Sequence, residues 1–90
     1  MPEKIIIQTI TGKNKPALRI NMQTMNAAGG VLSLSTLNGS LLRLIALPDG
    51  ETVIELEKID EPGIYIKIET AHHTLLRKID IPITEQQISI

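Results

Sequence analysis

The chain has 90 residues, of which 42% are apolar, and its formal net charge is −1 with no cysteine. This length holds one hydrophobic core and therefore one domain, residues 1–90. A near-neutral net charge does not attract phosphates, so we expect no nucleic-acid partner. The absence of cysteine excludes disulfides and cysteine-based zinc sites. Most of the apolar residues are Ile (16) and Leu (11), and Tyr65 is the one aromatic residue. The high content of β-branched Ile favours β-strands.

Turn signals rich in Gly, Pro, Asn and Asp divide the chain into seven predicted strands. In chain order these are Lys4 to Ile10, Ala17 to Met25, Gly30 to Leu37, Leu41 to Leu47, Glu51 to Glu57, Gly63 to Thr70 and Thr74 to Ile83. The tail, residues 84–90, is either frayed or an extra edge strand. Strands at this spacing predict an all-β, antiparallel sandwich or small barrel.

Alternation of apolar and polar residues assigns a buried face to most of these strands. The Gly63 to Thr70 strand alternates best, and Arg77 interrupts the apolar row of the last strand, where its side chain can extend to the edge. The predicted core is Leu18, Ile20, Leu32, Leu34, Leu37, Leu42, Ile54, Leu56, Ile64, Ile66, Ile68, Ile79 and Ile81. Strands Lys4 to Ile10 and Glu85 to Ile90 are predicted to lie at sheet edges.

Asn38-Gly39 stands between two apolar runs, which predicts a two-residue hairpin turn in which both residues have positive φ. The hairpin joins the third and fourth predicted strands. It also argues against a helix at Leu37 to Leu47, the stretch whose apolar spacing comes nearest to a helical period.

The residues that could carry chemistry are sparse. His72 and His73 are adjacent, and a zinc site needs three or four ligands, so a solvated hairpin tip is the favoured interpretation. Glu51, Glu55, Glu57 and Glu61 form an acidic stripe typical of a wet face or a guarded edge strand. No serine lies in a nucleophile elbow, and Gly29-Gly30 is not followed by a phosphate-loop Lys. We therefore expect no enzyme activity, cofactor or metal.

Tyr65 follows Pro62-Gly63 at the start of a strand, where a tyrosine in immunoglobulin-like sandwiches often bonds back to the backbone across a corner. Tyr65 and the sequence around it resemble a known protein family. Residues 30–81 resemble the C-terminal sorting domain of proteins exported by the type IX secretion system of Gram-negative bacteria. The likeness lies in the strand Val31 to Gly39 ending in Asn-Gly, then Ile54 to Ile59, Glu61-Pro62-Gly63-Ile64-Tyr65, and the basic strand Leu75 to Ile81. Asn14-Lys15-Pro16-Ala17 faintly matches the motif that opens the family's domain.

The resemblance implies a seven-stranded immunoglobulin-like sandwich that catalyses nothing. It also implies a function, a sorting or surface-targeting module that follows a cargo protein and binds proteins of the secretion machinery. The implied location is the cell surface or the medium, reached through the periplasm, with the signal peptide outside this chain. The implied recognition residues are Pro62, Gly63, Tyr65 and Lys78.

Two alternatives belong to other classes. The chain also resembles small secreted β-sandwich domains of gut bacteria without an assigned function, which share the Gly-x-Tyr corner. On that interpretation the chain is a self-contained binding or structural domain whose edge strands pair with a strand of another chain. That other chain can be a second copy, which gives a homo-oligomer. A metal-dependent enzyme around His72 and His73 is the third hypothesis. No apolar run approaches the ~18–20 residues of a membrane-spanning helix, so we expect no direct membrane insertion.

Overall fold

The computed structural model describes residues 4–11, 15–23, 29–56 and 59–89. Within these ranges the chain forms strands and no helix, which confirms the all-β prediction. The strands are β1 (Lys4–Thr11), β2 (Pro16–Gln23), β3 (Gly30–Thr36), β4 (Leu41–Leu47), β5 (Gly50–Glu55), β6 (Gly63–Glu69), β7 (Thr74–Asp80) and β8 (Gln86–Ser89). In the described part of the chain there is accordingly no helix that is long and apolar enough to cross a membrane. Residues 12–14 and 26–28 of two predicted turns, Thr24 and Met25 at the end of the second predicted strand, and Glu57 of the acidic stripe lie outside the described residues.

The strands form two antiparallel sheets of four, with the orders β5-β2-β1-β8 and β4-β3-β6-β7. Placing β1, β2 and β5 in one sheet and β3, β6 and β7 in the other is the connectivity of immunoglobulin-like sandwiches, and β4 is the added strand beside β3. Residues of both sheets contribute to one cluster of buried side chains. The predicted immunoglobulin-like sandwich is therefore the observed fold, with eight strands in place of about seven.

The eighth strand is the tail of the chain. β8 pairs antiparallel with β1, with Ile88 opposite Ile7. The buried Thr9 hydroxyl donates to the Thr84 carbonyl, and the Gln86 N–H donates to the Thr9 hydroxyl over 2.8 Å. The tail is therefore an edge strand rather than a frayed end.

This pairing corrects the predicted position of the first strand. β1 lies between β2 and β8 and is not an edge. The sequence interpretation missed it because three consecutive isoleucines, Ile5 to Ile7, hide the alternation. Ile5 and Ile7 are fully buried, whereas Ile6 is only half-buried.

The buried cluster confirms ten of the thirteen predicted core residues. Its members are Ile5, Ile7, Leu18, Ile20, Met22, Leu32, Leu34, Leu47, Ile54, Leu56, Ile64, Ile66, Ile68, Leu75, Ile79 and Ile83. Two predictions were wrong: Leu42 is 44% exposed on edge strand β4, and Leu37 is half-buried just beyond the end of β3. Ile81, just beyond the end of β7, is half-buried and packs against the cluster. At strand ends and edges only one side of a residue is covered by a neighbouring strand, so alternation overestimates burial there.

The predicted β3–β4 hairpin exists, but its loop has three residues. The Thr36 carbonyl accepts from the Gly39 N–H over 3.0 Å, and the Thr36 N–H donates to the Ser40 carbonyl over 2.8 Å. Gly39 has φ of 94°, as predicted. A three-residue loop whose last residue is left-handed is the next common hairpin after the two-residue turn. The register of β3 with β4 then shifts at Leu34/Ser35 and leaves Leu42 without an opposite residue.

Candidate functional site

The four predicted recognition residues come together at one corner of the β4-β3-β6-β7 sheet. Tyr65 on β6 lies directly opposite Lys78 on β7, and Gly63 lies opposite Asp80. The Pro62 carbonyl accepts from the Ile81 N–H over 3.0 Å and closes the corner. Strand pairing thus joins residues that are separated in sequence, and we call these four residues the Tyr65–Lys78 surface.

Tyr65 points away from the core. Its neighbours Ile64 and Ile66 are buried, so Tyr65 lies on the opposite, outer face of β6, where it is half-buried. Ser35 of β3 lies beside it on the side away from Lys78. Among the described residues no hydrogen bond from its hydroxyl forms the corner bond expected from the sequence. The ring instead forms part of the surface.

Lys78 extends the surface at the edge. Its Nζ lies 3.8 Å from Asp80 Oδ1, and the two side chains are 54% and 83% exposed. A surface pair of this kind contributes less than ~1 kcal/mol to stability, because water and salt screen it. The ammonium group can therefore leave Asp80 for another acceptor at little cost. Gly63 allows β6 and β7 to approach closely at this corner, because a Cβ there would lie only 3.0 Å from the Ile79 carbonyl oxygen.

His72 and His73 lie in the turn that joins β6 to β7, and both are exposed. Their backbone N–H groups donate to the Thr70 hydroxyl over 3.3 and 3.0 Å, and the Thr70 N–H donates to the His73 carbonyl over 2.8 Å. These bonds order the backbone of the turn, in agreement with the hairpin-tip interpretation. Within the described residues no group of three His, Cys, Asp or Glu side chains could hold a metal ion.

Two residues of the predicted acidic stripe, Glu51 and Glu55, lie on edge strand β5, whereas Glu61 is exposed in the bend that precedes β6. Glu51 and Glu55 are exposed, and Glu51 Oε1 lies 3.0 Å from Arg19 Nε on the neighbouring β2. β5 is the outermost strand of its sheet, so these carboxylates lie where charge discourages further strand pairing. This position agrees with the guarded-edge interpretation.

The sequence interpretation missed the surface around β4. A groove of about 850 Å³ lies between β4 and β5, with Leu42, Arg43 and Ile45 on one side and Val53 and Glu55 on the other. Arg43 Nη1 donates to the Glu55 carbonyl oxygen over 3.3 Å and so links the edges of the two sheets. On the outer side of β4, Leu41 and Leu44 are 60% and 63% exposed. The sequence interpretation missed this surface because a continuous apolar run such as Leu41–Leu47 normally predicts a buried strand. Arg43 was the one residue in the run that indicated a strand at the edge of a sheet.

No protein-family model matches this chain, and neither a curated protein nor a solved structure matches it significantly.

Proposed function

We propose that this chain is a non-catalytic sorting or surface-targeting module of an exported bacterial protein. In this proposal the Tyr65–Lys78 surface binds a protein of the secretion machinery, and the module directs its cargo through the periplasm to the cell surface or the medium. The type IX export pathway is proposed because the sequence resembles type IX sorting domains. The structure supports the proposal by bringing the four resembling residues onto one corner.

The observation that carries this proposal is the position of the single aromatic residue. The buried cluster is built from Ile, Leu and Met alone, so aliphatic packing fills the interior. Tyr65 is instead on the outer face, beside an exposed lysine. Tyrosine is enriched in protein interfaces because a rigid, amphipathic ring gives contact area at small entropic cost. An aromatic ring next to an exposed cation suits a partner that offers an apolar pocket beside a carboxylate.

The test is export of a reporter that carries this domain at its C-terminus. The reporter also carries a signal peptide and is expressed in a bacterium that has the type IX pathway. We expect the reporter on the cell surface or in the medium with the unchanged domain. Lys78→Ala should reduce that export and change stability by less than ~0.5 kcal/mol, because the Lys78 side chain is exposed. Tyr65→Ala should also reduce export, and circular dichroism checks that the domain remains folded after this change at a half-buried position.

Lys67→Ala is the matched control. Lys67 lies on the outer face of the same sheet and pairs with the acid two residues on, Glu69, over 3.1 Å, just as Lys78 pairs with Asp80. Its side chain is 43% exposed. Export that falls equally for Lys67→Ala and Lys78→Ala would show a general effect of charge and contradict the assigned surface. A folded, unchanged domain that leaves its reporter in the periplasm would refute the sorting function.

A second candidate function is favoured by the exposed leucines of β4. On this alternative the chain is a self-contained secreted binding or structural domain, which associates by adding a strand to a sheet edge. Strand addition uses main-chain hydrogen bonds for affinity and does not need the Tyr65–Lys78 surface. If the domain still binds its partner chain after Tyr65→Ala and Lys78→Ala, the binding uses a sheet edge, which distinguishes this alternative from the sorting function.

A further inference from the structure

The loop of the β3–β4 hairpin, residues 37–39, contains the one asparagine of the chain that precedes a glycine. The other asparagines are followed by Lys, Met or Ala, whereas Asn38 is followed by Gly39. The side-chain amide of an asparagine can be attacked by the backbone nitrogen of the next residue, and glycine, which has no Cβ, obstructs this attack least. Both residues are exposed, and nothing lies within 4 Å of the position of a Cβ at Gly39. The loop therefore combines a reactive pair of residues with free access of water.

The reaction is an intramolecular substitution at the Asn38 amide. The Gly39 nitrogen forms a bond to Asn38 Cγ, the bond from Cγ to the side-chain nitrogen breaks, and that nitrogen leaves as ammonia with the proton that Gly39 has lost. Water then opens the resulting cyclic imide at either of its carbonyl carbons. Opening at Cγ gives aspartate, and opening at the main-chain carbonyl carbon gives isoaspartate, in which the backbone continues through the side chain. Water is the only co-reactant.

In the folded hairpin both reacting groups are held by hydrogen bonds. The Gly39 N–H donates to the Thr36 carbonyl over 3.0 Å. Asn38 Oδ1 accepts from the Thr36 hydroxyl and from the Ser40 N–H, the latter over 3.4 Å. Thr36 is itself only 7% exposed, so packing in the sandwich fixes the position of that hydroxyl. The Gly39 nitrogen must give up the proton that it donates to Thr36 before it can attack, so the reaction requires this part of the loop to open.

We propose that Asn38 is a site of spontaneous deamidation whose rate is set by opening of the β3–β4 hairpin. In the closed loop Asn38 is inert, and each opening exposes it for as long as the hydrogen bonds are broken. The observed rate is then the rate of the unfolded chain multiplied by the fraction of time that the loop is open. Hydrogen exchange of the Gly39 amide requires the same bond to open, so both rates should be slowed by the same factor.

The two products fit the loop differently. Aspartate retains a side-chain oxygen that accepts hydrogen bonds, so it can keep the bonds from the Thr36 hydroxyl and the Ser40 N–H. Isoaspartate adds one carbon to the main chain between residues 38 and 39, which displaces the Gly39 N–H from the Thr36 carbonyl. Aspartate therefore preserves the hairpin, and isoaspartate loosens it.

The modified loop borders the Tyr65–Lys78 surface. A Cβ at Gly63 would lie 3.5 Å from Leu37 Cδ2 and 3.5 Å from Lys78 Cε, so both side chains approach the same glycine. Leu37 immediately precedes Asn38, and deamidation therefore adds a carboxylate next to this corner of the sheet. The inference does not rest on the proposed export function, because deamidation is measured on the purified chain.

The test is peptide mapping by mass spectrometry after incubation in mildly alkaline buffer, with and without guanidinium chloride. The map gives the fraction of residue 38 that has been converted from amide to acid. We expect Asn38 to be the first asparagine converted in denaturant, and its conversion in the folded chain to be slowed at least about tenfold. The protection of the Gly39 amide, measured by hydrogen exchange with NMR detection, should equal that slowing within about threefold.

Thr36→Val separates opening of this loop from loss of stability elsewhere. It removes the hydroxyl that bonds Asn38 and Ser40, and it should speed deamidation of the folded chain about fivefold or more without changing the rate in denaturant. Thr70→Val is the matched control, because the Thr70 hydroxyl accepts from two backbone N–H groups of the β6–β7 turn. It should leave the deamidation rate unchanged, and circular dichroism checks that both variants are folded.

Four results would overturn the proposal. Asn38 that stays unconverted in denaturant would show that the pair is not reactive, and equal rates with and without denaturant would show that the loop does not protect it. A slowing that differs from the protection of the Gly39 amide by more than about threefold would show that the reaction does not proceed through this opening. That comparison uses the unchanged chain and does not depend on the folding of any variant. Failure of Thr36→Val to accelerate deamidation more than Thr70→Val would assign the reaction to global unfolding.

Discussion

Ile66 is the most direct test of how the sandwich is held together. It lies in the middle of β6, with Leu34 opposite it on β3 and Arg77 opposite it on β7, and it is 1% exposed. The side chain points into the cluster shared by both sheets. We therefore expect Ile66→Ala to destabilise the fold strongly while the strand pairing of the backbone is retained.

The magnitude follows from what the substitution removes. Three carbon atoms are lost at about 0.8 kcal/mol each, which gives a transfer loss of roughly 2.4 kcal/mol. The cavity that remains adds to this loss, and the total for Ile→Ala in a core is about 2–5 kcal/mol. A domain of this length has a free energy of unfolding of roughly 5–13 kcal/mol at 0.05–0.15 kcal/mol per residue. Ile66→Ala thus removes a large share of the total stability.

The measurement is urea unfolding followed by far-UV circular dichroism, because the chain has no tryptophan and only one tyrosine. The midpoint should fall while the m-value stays constant, since the surface exposed on unfolding is nearly unchanged. Ile66→Val serves as a graded variant and should cost about 0.5–1.5 kcal/mol. Leu76→Ala, on the exposed outer face of β7, should change stability by less than about 0.5 kcal/mol.

A loss below about half a kcal/mol for Ile66→Ala would refute the face assignment of β6. An equal loss for Ile66→Ala and Leu76→Ala would refute it as well, because one residue is assigned to the core and the other to the solvent.

Further predictions concern the turns and the tail. Gly29→Ala should destabilise more than Gly39→Ala in chemical denaturation: both glycines have positive φ, but a Cβ at Gly29 would overlap the Leu47 carbonyl oxygen at 1.9 Å, whereas nothing lies within 4 Å at Gly39. Gly39→Val should still cost roughly 1–2 kcal/mol, since a β-branched residue resists that conformation, and a neutral result would contradict the hairpin loop. Thr9→Val removes the hydroxyl that bonds Thr84 and Gln86, and it should cost about 1–3 kcal/mol and speed amide hydrogen exchange in β8. Unchanged exchange in β8 would show that the tail is anchored by other contacts.

Local patterns in the sequence were sufficient to place most strands and their faces. The alternation of Ile64, Ile66 and Ile68 has a period of two, which a pleated strand converts directly into one buried face. Asn38-Gly39 located the β3–β4 hairpin because few residues accept positive φ, although the loop proved one residue longer than predicted. Such features depend on the geometry of a few consecutive residues, so the sequence alone determined them.

The Tyr65–Lys78 surface could be predicted only in part from local sequence patterns. Pro62, Gly63 and Tyr65 are neighbours in the chain, and a family likeness added Lys78. That Tyr65 lies beside Lys78 is a matter of register between β6 and β7, which the pairing of whole strands decides. The outward direction of Tyr65 follows from the burial of Ile64 and Ile66 on either side of it.

Which strands form the edges was decided by tertiary structure alone. β1 became an inner strand because β8, from the other end of the chain, pairs with it, and the apolar run of β4 became an exposed edge because nothing pairs with its outer side among the described residues. Leu42 illustrates the consequence, since its sequence context resembles that of buried leucines but its strand has a neighbour on one side only. Burial depends on how many neighbours surround a residue in space. A one-dimensional pattern records which face of a strand is apolar, but not whether another strand covers its edge.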